Sequence, residues 1–256
     1  MEIAIARAVK ISGLLFQMRF RWRWAQIGVR YRRSREFRLD HLKIHGQRVP
    51  LTFPEGEKAT LEYELGQIYF DDCYHLRRLR PKPARILDIG GNVGMFSLIA
   101  RHRFPRALIH TYEPNPRLQP YIRPHLDPLG VKVFAEAVGH HAGTVAMAGE
   151  AGSLFSTVVP DNTGEVPMIT FDTAVQRIGG EVGLLKLDCE GAEWDILENS
   201  PALDEVRTLT MEYHLWARPG STRADIRALV EKRGLRIRTN EQRPGEHWGM
   251  LLATRA

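Results

Sequence analysis

Arg85-Ile-Leu-Asp-Ile-Gly-Gly-Asn-Val-Gly-Met-Phe-Ser-Leu-Ile-Ala100 reads as a strand, a tight turn and a helix. Ile86, Leu87 and Ile89 form the short apolar run of a buried strand, glycines at 90, 91 and 94 punctuate it, and Met95 to Ala100 is apolar at helical spacing. Glycine lets backbone approach a ligand closely, and a helix start offers unpaired N–H groups to a carboxylate or phosphate. A small, partly anionic ligand is therefore expected at this turn, a ligand-free glycine turn being the alternative. The spacing Asp88-x-Gly90-x-x-x-Gly94 is neither the Gly-x-Gly-x-x-Gly of dinucleotide folds nor the Gly-x-x-x-x-Gly-Lys of nucleoside triphosphatases.

Downstream, apolar runs recur at strand length. Ala107 to Tyr112 leads to Glu113, which lies 25 positions after Asp88 and can accept from both hydroxyls of a ribose, while Pro114 ends the strand. Val131 to Val138 reads as a third strand carrying Glu136, placed for contact with a base. Val182 to Asp188 supplies the fourth, and there Asp188, Glu190 and Glu193 crowd an apolar strand's exit beside Gly191. Carboxylates converging at such an edge titrate together, which suits proton transfer or a hard cation. Glu193 reads instead as a cap on the positive end of the following helix. Arg207 to His214 is the fifth strand, with Glu212 near its end and His214 as a general-base candidate, since histidine titrates near neutrality.

The remaining segments frame this core. Residues 39–54 suggest a small β-unit turning at His45-Gly46, and Glu57 to Leu79 reads as helical pieces whose Glu64 and Tyr74 can reach the cleft, a solvated helix face being the default for each. A Gly/Ser/Thr-rich stretch between Gly143 and Pro167 suggests an inserted hairpin and loop, with Ser153 and Ser156 as possible substrate donors. Ser221 to Arg233 is a helix stopped by Gly234, and two last strands are joined by a Pro244-Gly245 turn. The expected organisation is a basic amphipathic extension (1–40), a lead-in α/β cap (41–83) and one ligand-binding α/β domain (84–256).

At 256 residues and 43% hydrophobic content, the chain can bury one full α/β core. Two cysteines, Cys73 and Cys189, make no disulfide framework and favour a reducing, cytoplasmic setting. The net charge of +6 is unevenly spread: residues 1–38 hold ten Lys/Arg against Glu2 and Glu36, so the remainder is slightly acidic. That remainder, with no base-stacking motif, argues against a nucleic-acid partner. Ile11 to Met18 is the longest charge-free run of the extension, far short of the about 20 residues that span a bilayer. Leu14, Leu15, Met18, Trp22 and Trp24 among arginines fit peripheral contact at the inner face of a membrane, or packing on the domain or on a second subunit of a homodimer.

Ile86-Leu-Asp-Ile-Gly-Gly-Asn-Val-Gly94, Tyr112-Glu-Pro-Asn115, Lys186-Leu-Asp-Cys-Glu-Gly-Ala-Glu193 and Met211-Glu-Tyr-His214, in that order, resemble the FkbM-type S-adenosylmethionine-dependent methyltransferases over roughly residues 60 to 255. The resemblance implies a Rossmann-like class I methyltransferase fold, a seven-stranded mostly parallel sheet with helices on both faces and a final antiparallel strand. It also implies S-adenosylmethionine as donor and an O-methyl product on a sugar, glycan, glycolipid or polyketide-like acceptor, with N-methylation of an amine or peptide side chain as the alternative. By motif position the cofactor residues are Asp88, Gly90, Asn92, Gly94 and Glu113, with Glu136 at the adenine, although relatives often carry Asn where Glu136 stands and Ala where Gly91 stands. Asp188 or His214 then accepts the hydroxyl proton while Glu190 and Glu212 orient the base or the acceptor. No metal is assigned, a divalent ion on Asp188, Glu190 and Glu212 being the alternative. A binding module that docks its basic extension on lipid or nucleic acid is the rival from another class.

Overall fold

The computed structural model describes residues 21–29, 39–148, 157–160, 164–242 and 245–255, without side chains at 148 and 157–160. Ser153, Ser156, Pro244 and most of the basic extension lie outside these residues. The chain divides into two compact units, Met1–Thr52 and Phe53–Ala256, a boundary that falls within the expected 41–83 segment.

In the first unit, residues 21–26 are helical, with Trp22 64% exposed and Trp24 buried. Strands β1 (His41–Ile44) and β2 (Gln47–Pro50) pair antiparallel. Their two-residue loop, His45-Gly46, has positive φ at both positions, the turn whose twist matches that of a hairpin. Among the described residues no helix is long and apolar enough to cross a membrane.

The second unit opens with α1 (Lys58–Gly66), which widens into a π-helical turn over Gln67–Asp71. Strand and helix then alternate through β3 (Arg85–Ile89), α2 (Met95–Arg103), β4 (Leu108–Tyr112), α3 (Gln119–Leu126) and β5 (Lys132–Phe134). A second sheet is built from β6 (Ala137–Gly139), β7 (Gly143–Ala148), β8 (Thr157–Pro160) and β9 (Val166–Thr170) in the order β6-β9-β7-β8. The chain returns through α4 (Phe171–Ile178), β10 (Leu184–Leu187), α5 (Glu193–Asn199), β11 (Thr208–His214), α6 (Arg223–Lys232), β12 (Arg236–Glu241) and β13 (Trp248–Thr254).

The main sheet has seven strands in the order β12-β13-β11-β10-β3-β4-β5. From β11 to β5 neighbours run parallel, and β13 runs antiparallel to both β11 and β12. This is the Rossmann-like class I methyltransferase arrangement with its reversed strand. Leu184, Leu185 and Leu187 of β10 and Ile86, Leu87 and Ile89 of β3 are buried as central strands covered on both faces must be. Order reverses between β3 and β10, and ligands of open α/β sheets bind at such a switch point, outside the carboxyl ends of the strands.

One expected element divides. Val131 to Val138 is not a single strand: β5 stops at Phe134 and β6 begins at Ala137 in the other sheet. Phe134 O accepts the Glu113 N–H at 3.0 Å, and the next N–H that could face β5, that of Asn115, is taken by Glu113 Oε1 at 2.9 Å, so the ladder goes no further. The hairpin expected after Gly143 is present as β7 and β8, paired antiparallel.

The carboxyl ends of β3 and β10 are joined by a buried cation. Lys186 Nζ lies 3.5 Å from Asp88 Oδ1 and 3.2 Å from Asp188 Oδ2, and it also donates to Gly90 O. Asp88, wholly buried, takes a further hydrogen bond from Ser97 Oγ at 2.6 Å, and Ser97 in turn meets Thr111 Oγ1 at 2.7 Å. Burial pushes the Asp88 carboxyl up, with Lys186 and Ser97 opposing. Burial opposes the Lys186 charge, yet Asp188 and Asp88 outweigh it and hold the ammonium above its ordinary range.

Two buried titratable groups give measurable consequences for stability. Lys186→Met leaves Asp88 without its cation and is expected to cost about 3–5 kcal/mol in urea unfolding, with Asp88→Asn/Lys186→Met regaining part of that loss; an unchanged midpoint in the single variant rejects the account. His110 on β4 is 1% exposed, neither ring nitrogen hydrogen-bonds to any described residue, and burial, then Lys132 and Arg177, lower its pKa to about 4. The folded chain thus binds fewer protons than the unfolded one between about pH 6.5 and 4, so this contribution is complete above 6.5 and falls away on acidification. His110→Leu should gain on the parent by up to about 1.4 kcal/mol per pH unit across that window, measured by unfolding at each pH.

Candidate active site

A cavity of about 1070 Å³ opens above the carboxyl ends of β3, β4, β10 and β11. Its volume slightly exceeds the range of about 300–1,000 Å³ that holds a single small ligand, which leaves room for a cofactor with an acceptor beside it.

One half is built by the turn after β3. The Gly90 and Gly91 amides both donate to Tyr112 O, at 3.0 and 2.9 Å, so the turn is anchored to the end of β4. Gly90 has φ +82°, and a Cβ there would sit 1.6 Å from the Asp188 carbonyl oxygen. That glycine is required by close passage of the chain after β10, rather than by a ligand. Gly94, at φ +88°, caps α2, and its Cβ would press on the Leu126 side chain at 3.0 Å. Of the expected cofactor residues, Gly90, Asn92, Glu113 and Glu136 line the cavity, whereas Asp88 and Gly94 stand behind its wall. Asp88 acts on the turn through Lys186 and Ser97 and does not itself face the space.

Asn92, at φ +48°, donates its N–H to Glu113 Oε2 at 2.7 Å, and Asn115 N–H reaches Oε1 at 2.9 Å. A carboxylate has about four lone-pair sites, so Glu113 retains acceptor capacity for two hydroxyls. Burial pushes its carboxyl up to about 7 against the pull of those amides. Asn92 Oδ1 is buried at the cavity wall with no hydrogen-bond partner among the described residues. An orphaned acceptor beside a ribose-ready carboxylate fits a ligand that carries both a ribose and an ammonium, as S-adenosylmethionine does. Glu136 is engaged by Arg177, whose guanidinium also covers the Phe134 ring at 4.6 Å and the Tyr112 ring at 5.8 Å. Arg177 escapes sequence reading because it is 41 positions from its partner.

The other half is acidic. Asp188 Oδ2 accepts from the Tyr74 hydroxyl at 3.0 Å, and Tyr74 is fixed edge-on against Phe96. Glu190 has φ +54°, a conformation that a residue with a side chain seldom holds, and burial raises its carboxyl to about 7. Burial likewise raises Glu212, with Asp188 adding to the effect. Glu64 of α1 also reaches the cavity: its Oε2 is buried without a hydrogen-bond partner among the described residues, and burial pushes the carboxyl up to about 7. Its solvated-face default fails because the carboxylate turns into the cavity rather than out to solvent.

His214 is not placed to act as the base. It is buried behind the carboxylates and off the cavity wall, with Nδ1 3.2 Å from Glu193 Oε1 and Nε2 3.6 Å from both Glu190 and Glu212. Burial disfavours its charge, but Glu193 and Glu212 prevail and lift its pKa to about 11, so with these neighbours alone the ring already holds a second proton at neutral pH. Glu193 stands in the first turn of α5 but makes no capping hydrogen bond to that helix: it accepts from the Cys189 and Gly191 amides of the preceding turn at 2.7 and 2.8 Å, and it holds His214 as well. Asp188, Glu190 and Glu212 are brought together as expected.

A family model for the methyltransferase FkbM domain matches residues 88–237. Methyltransferase sdnD of Sordaria araneosa is 28% identical over 252 residues, covering 80% of this chain and 94% of that one. The 31-O-demethyl-FK506 methyltransferase FkbM of Streptomyces tacrolimicus is 36% identical over 103 residues, covering 38% of this chain and 35% of that one. Among solved structures, methyltransferase FkbM of Methylobacillus flagellatus KT is 15% identical with a TM-score of 0.49, covering 74% of this chain and 47% of that one. The domain match spans more than half of the sequence and contains both the glycine turn and the acidic strand exits, so this chain belongs to the FkbM family of S-adenosylmethionine-dependent methyltransferases.

Proposed function

We propose that the protein methylates a hydroxyl on a sugar, glycan, glycolipid or polyketide-like acceptor. The observation that carries this reading is the set of four carboxylates, Glu64, Asp188, Glu190 and Glu212, lining the cavity beyond the cofactor turn. The Streptomyces relative's name specifies an O-demethyl substrate, which supports oxygen as the receiving atom.

When bound, S-adenosylmethionine supplies a methyl group already activated by its sulfonium. The chain's own work is alignment and removal of one proton. Alignment contributes about 7–11 kcal/mol in well-oriented systems, against about 3–5 kcal/mol for a base worth 10²–10⁴-fold. Glu113 and the Asn92 turn fix the donor side, and Tyr74 fixes Asp188. Glu64 takes the proton, because its free oxygen faces the cavity while Asp188 is held by Lys186 and Tyr74. An acceptor amine is the second reading, since the same carboxylates would attract a cationic nitrogen. Labelled donor offered to hydroxyl and amine acceptors decides between them, and label found only on nitrogen overturns the hydroxyl reading.

Glu64→Gln is expected to cut labelled methyl transfer by about 10²–10⁴-fold while S-adenosylhomocysteine affinity, by calorimetry, stays within about threefold. Equal turnover in the variant removes Glu64 as the base. Glu113 should hold a ribose as the carboxylate, so affinity for methylthioadenosine, which lacks a titrating amine in this range, should rise with pH through about 7 and then level off. That step should disappear in Glu113→Gln.

A further inference from the structure

One donor atom each from Asp188, Glu190 and His214 lies within 4.8 Å of the other two. The histidine is turned to serve this group. Its Nδ1 rests on Glu193, and Glu193, wholly buried, is pinned by the Cys189 and Gly191 amides. A carboxylate behind the far nitrogen is how proteins aim an imidazole at a metal. Nε2 then faces oxygens of Glu190 and Glu212 at 3.6 Å each, past hydrogen-bond range. Neighbouring ligands about 2.1 Å from an octahedral ion stand roughly 3 Å apart, so the His214–Glu190 pair, at 3.6 Å, closes by a little over half an ångström and Asp188 moves in from within 4.8 Å to complete the set.

A second observation comes from another element. Glu64, on α1, directs a buried oxygen with no hydrogen-bond partner among the described residues into the cavity that Asp188 and Glu190 also line, and Lys186, Asp188 and Glu212 are among the charges acting on it. Lys186, the nearby ammonium, is already shared between Asp88 and Asp188, and the His214 ring is set against Glu190, Glu193 and Glu212. Among these described residues, six carboxylates thus face two side-chain cations, and Glu64 pairs with neither.

We propose that Asp188, Glu190 and His214 form a divalent-cation site that holds the acceptor oxygen during methyl transfer. One imidazole among carboxylates suits a first-row ion such as Mn²⁺. An ion there occupies the position that the Nε2 proton has in its absence. This deepens the hydroxyl reading and rests on it. The cation draws the hydroxyl oxygen in and makes its proton more acidic, and the proton passes to Glu64. The oxygen's electron pair forms the new C–O bond as the C–S bond breaks, and that pair stays on sulfur. The structure exchanges Glu212 for His214 in the ligand set the sequence suggests. Glu212 stands beside the ion.

The test is Mn²⁺ binding to the full chain without acceptor, read as loss of the free-ion electron paramagnetic resonance signal. One ion per chain is expected, with affinity at least about tenfold weaker in Asp188→Asn and in His214→Gln and unchanged in Glu181→Gln, whose carboxylate is exposed and paired with Arg207. If His214→Gln does not fold, Glu190→Gln, at a partly exposed turn, carries the same expectation. No signal loss at millimolar Mn²⁺, or equal loss in all variants, overturns the site. Donor-product affinity measured in excess chelator separates the two readings: undiminished methyl transfer there overturns the cation and leaves the methyltransferase intact. Mn²⁺ bound in the expected pattern, with chelator abolishing transfer but sparing S-adenosylhomocysteine binding, supports it.

Discussion

A single ammonium, Lys186 Nζ, holds the ends of two adjacent parallel strands together where the sheet reverses its winding. Asp88 lies on β3 and Asp188 just past the end of β10, and without a cation between them the two carboxylates would repel. Buried ion pairs of this kind are weak sources of net stability, because removing each charge from water consumes most of what their attraction returns. What the lysine supplies is position. By donating to Gly90 O as well, it links the cofactor turn to the first of the acidic residues, and Tyr74 extends the linkage from Asp188 to the lead-in layer.

From that anchor the two halves of the cavity diverge in character. The donor half is set by backbone: amides of the glycine turn hang on Tyr112 O, and amides of Asn92 and Asn115 hold Glu113. Side chains decide the acceptor half, drawn from α1, the exits of β10 and β11, and the antiparallel β12–β13 pair.

Much of this is legible in the residues. The apolar runs of β3, β4, β10 and β11 are bounded by turn residues, and buried parallel strands leave that trace whatever packs over them. The run from Val131 to Val138 misleads because its ladder stops where the Asn115 N–H, beyond the neighbouring strand, bonds Glu113 instead, a partner that local pattern does not reveal. Asp88 and Gly94 match the motif yet stand behind the cavity wall, since spacing along a chain says nothing of depth. His214 is credible as a base from its ordinary titration alone; three surrounding carboxylates change its proton affinity, and two of them, Glu190 and Glu193, reach it only through the pairing of β10 with β11. Glu64 and Arg177 owe their roles to long-range placement, and no periodicity distinguishes either from a solvated helix face.

The widened turn at Gln67–Asp71 carries a consequence for descent. Such a turn amounts to one extra residue in a helix, and each residue rotates the chain beyond it by roughly 100° about the axis. Glu64 precedes it and Tyr74 comes after it, and both line the same space. Loss of a single codon there would swing one away from the other, so length in this segment should be inherited more strictly than identity.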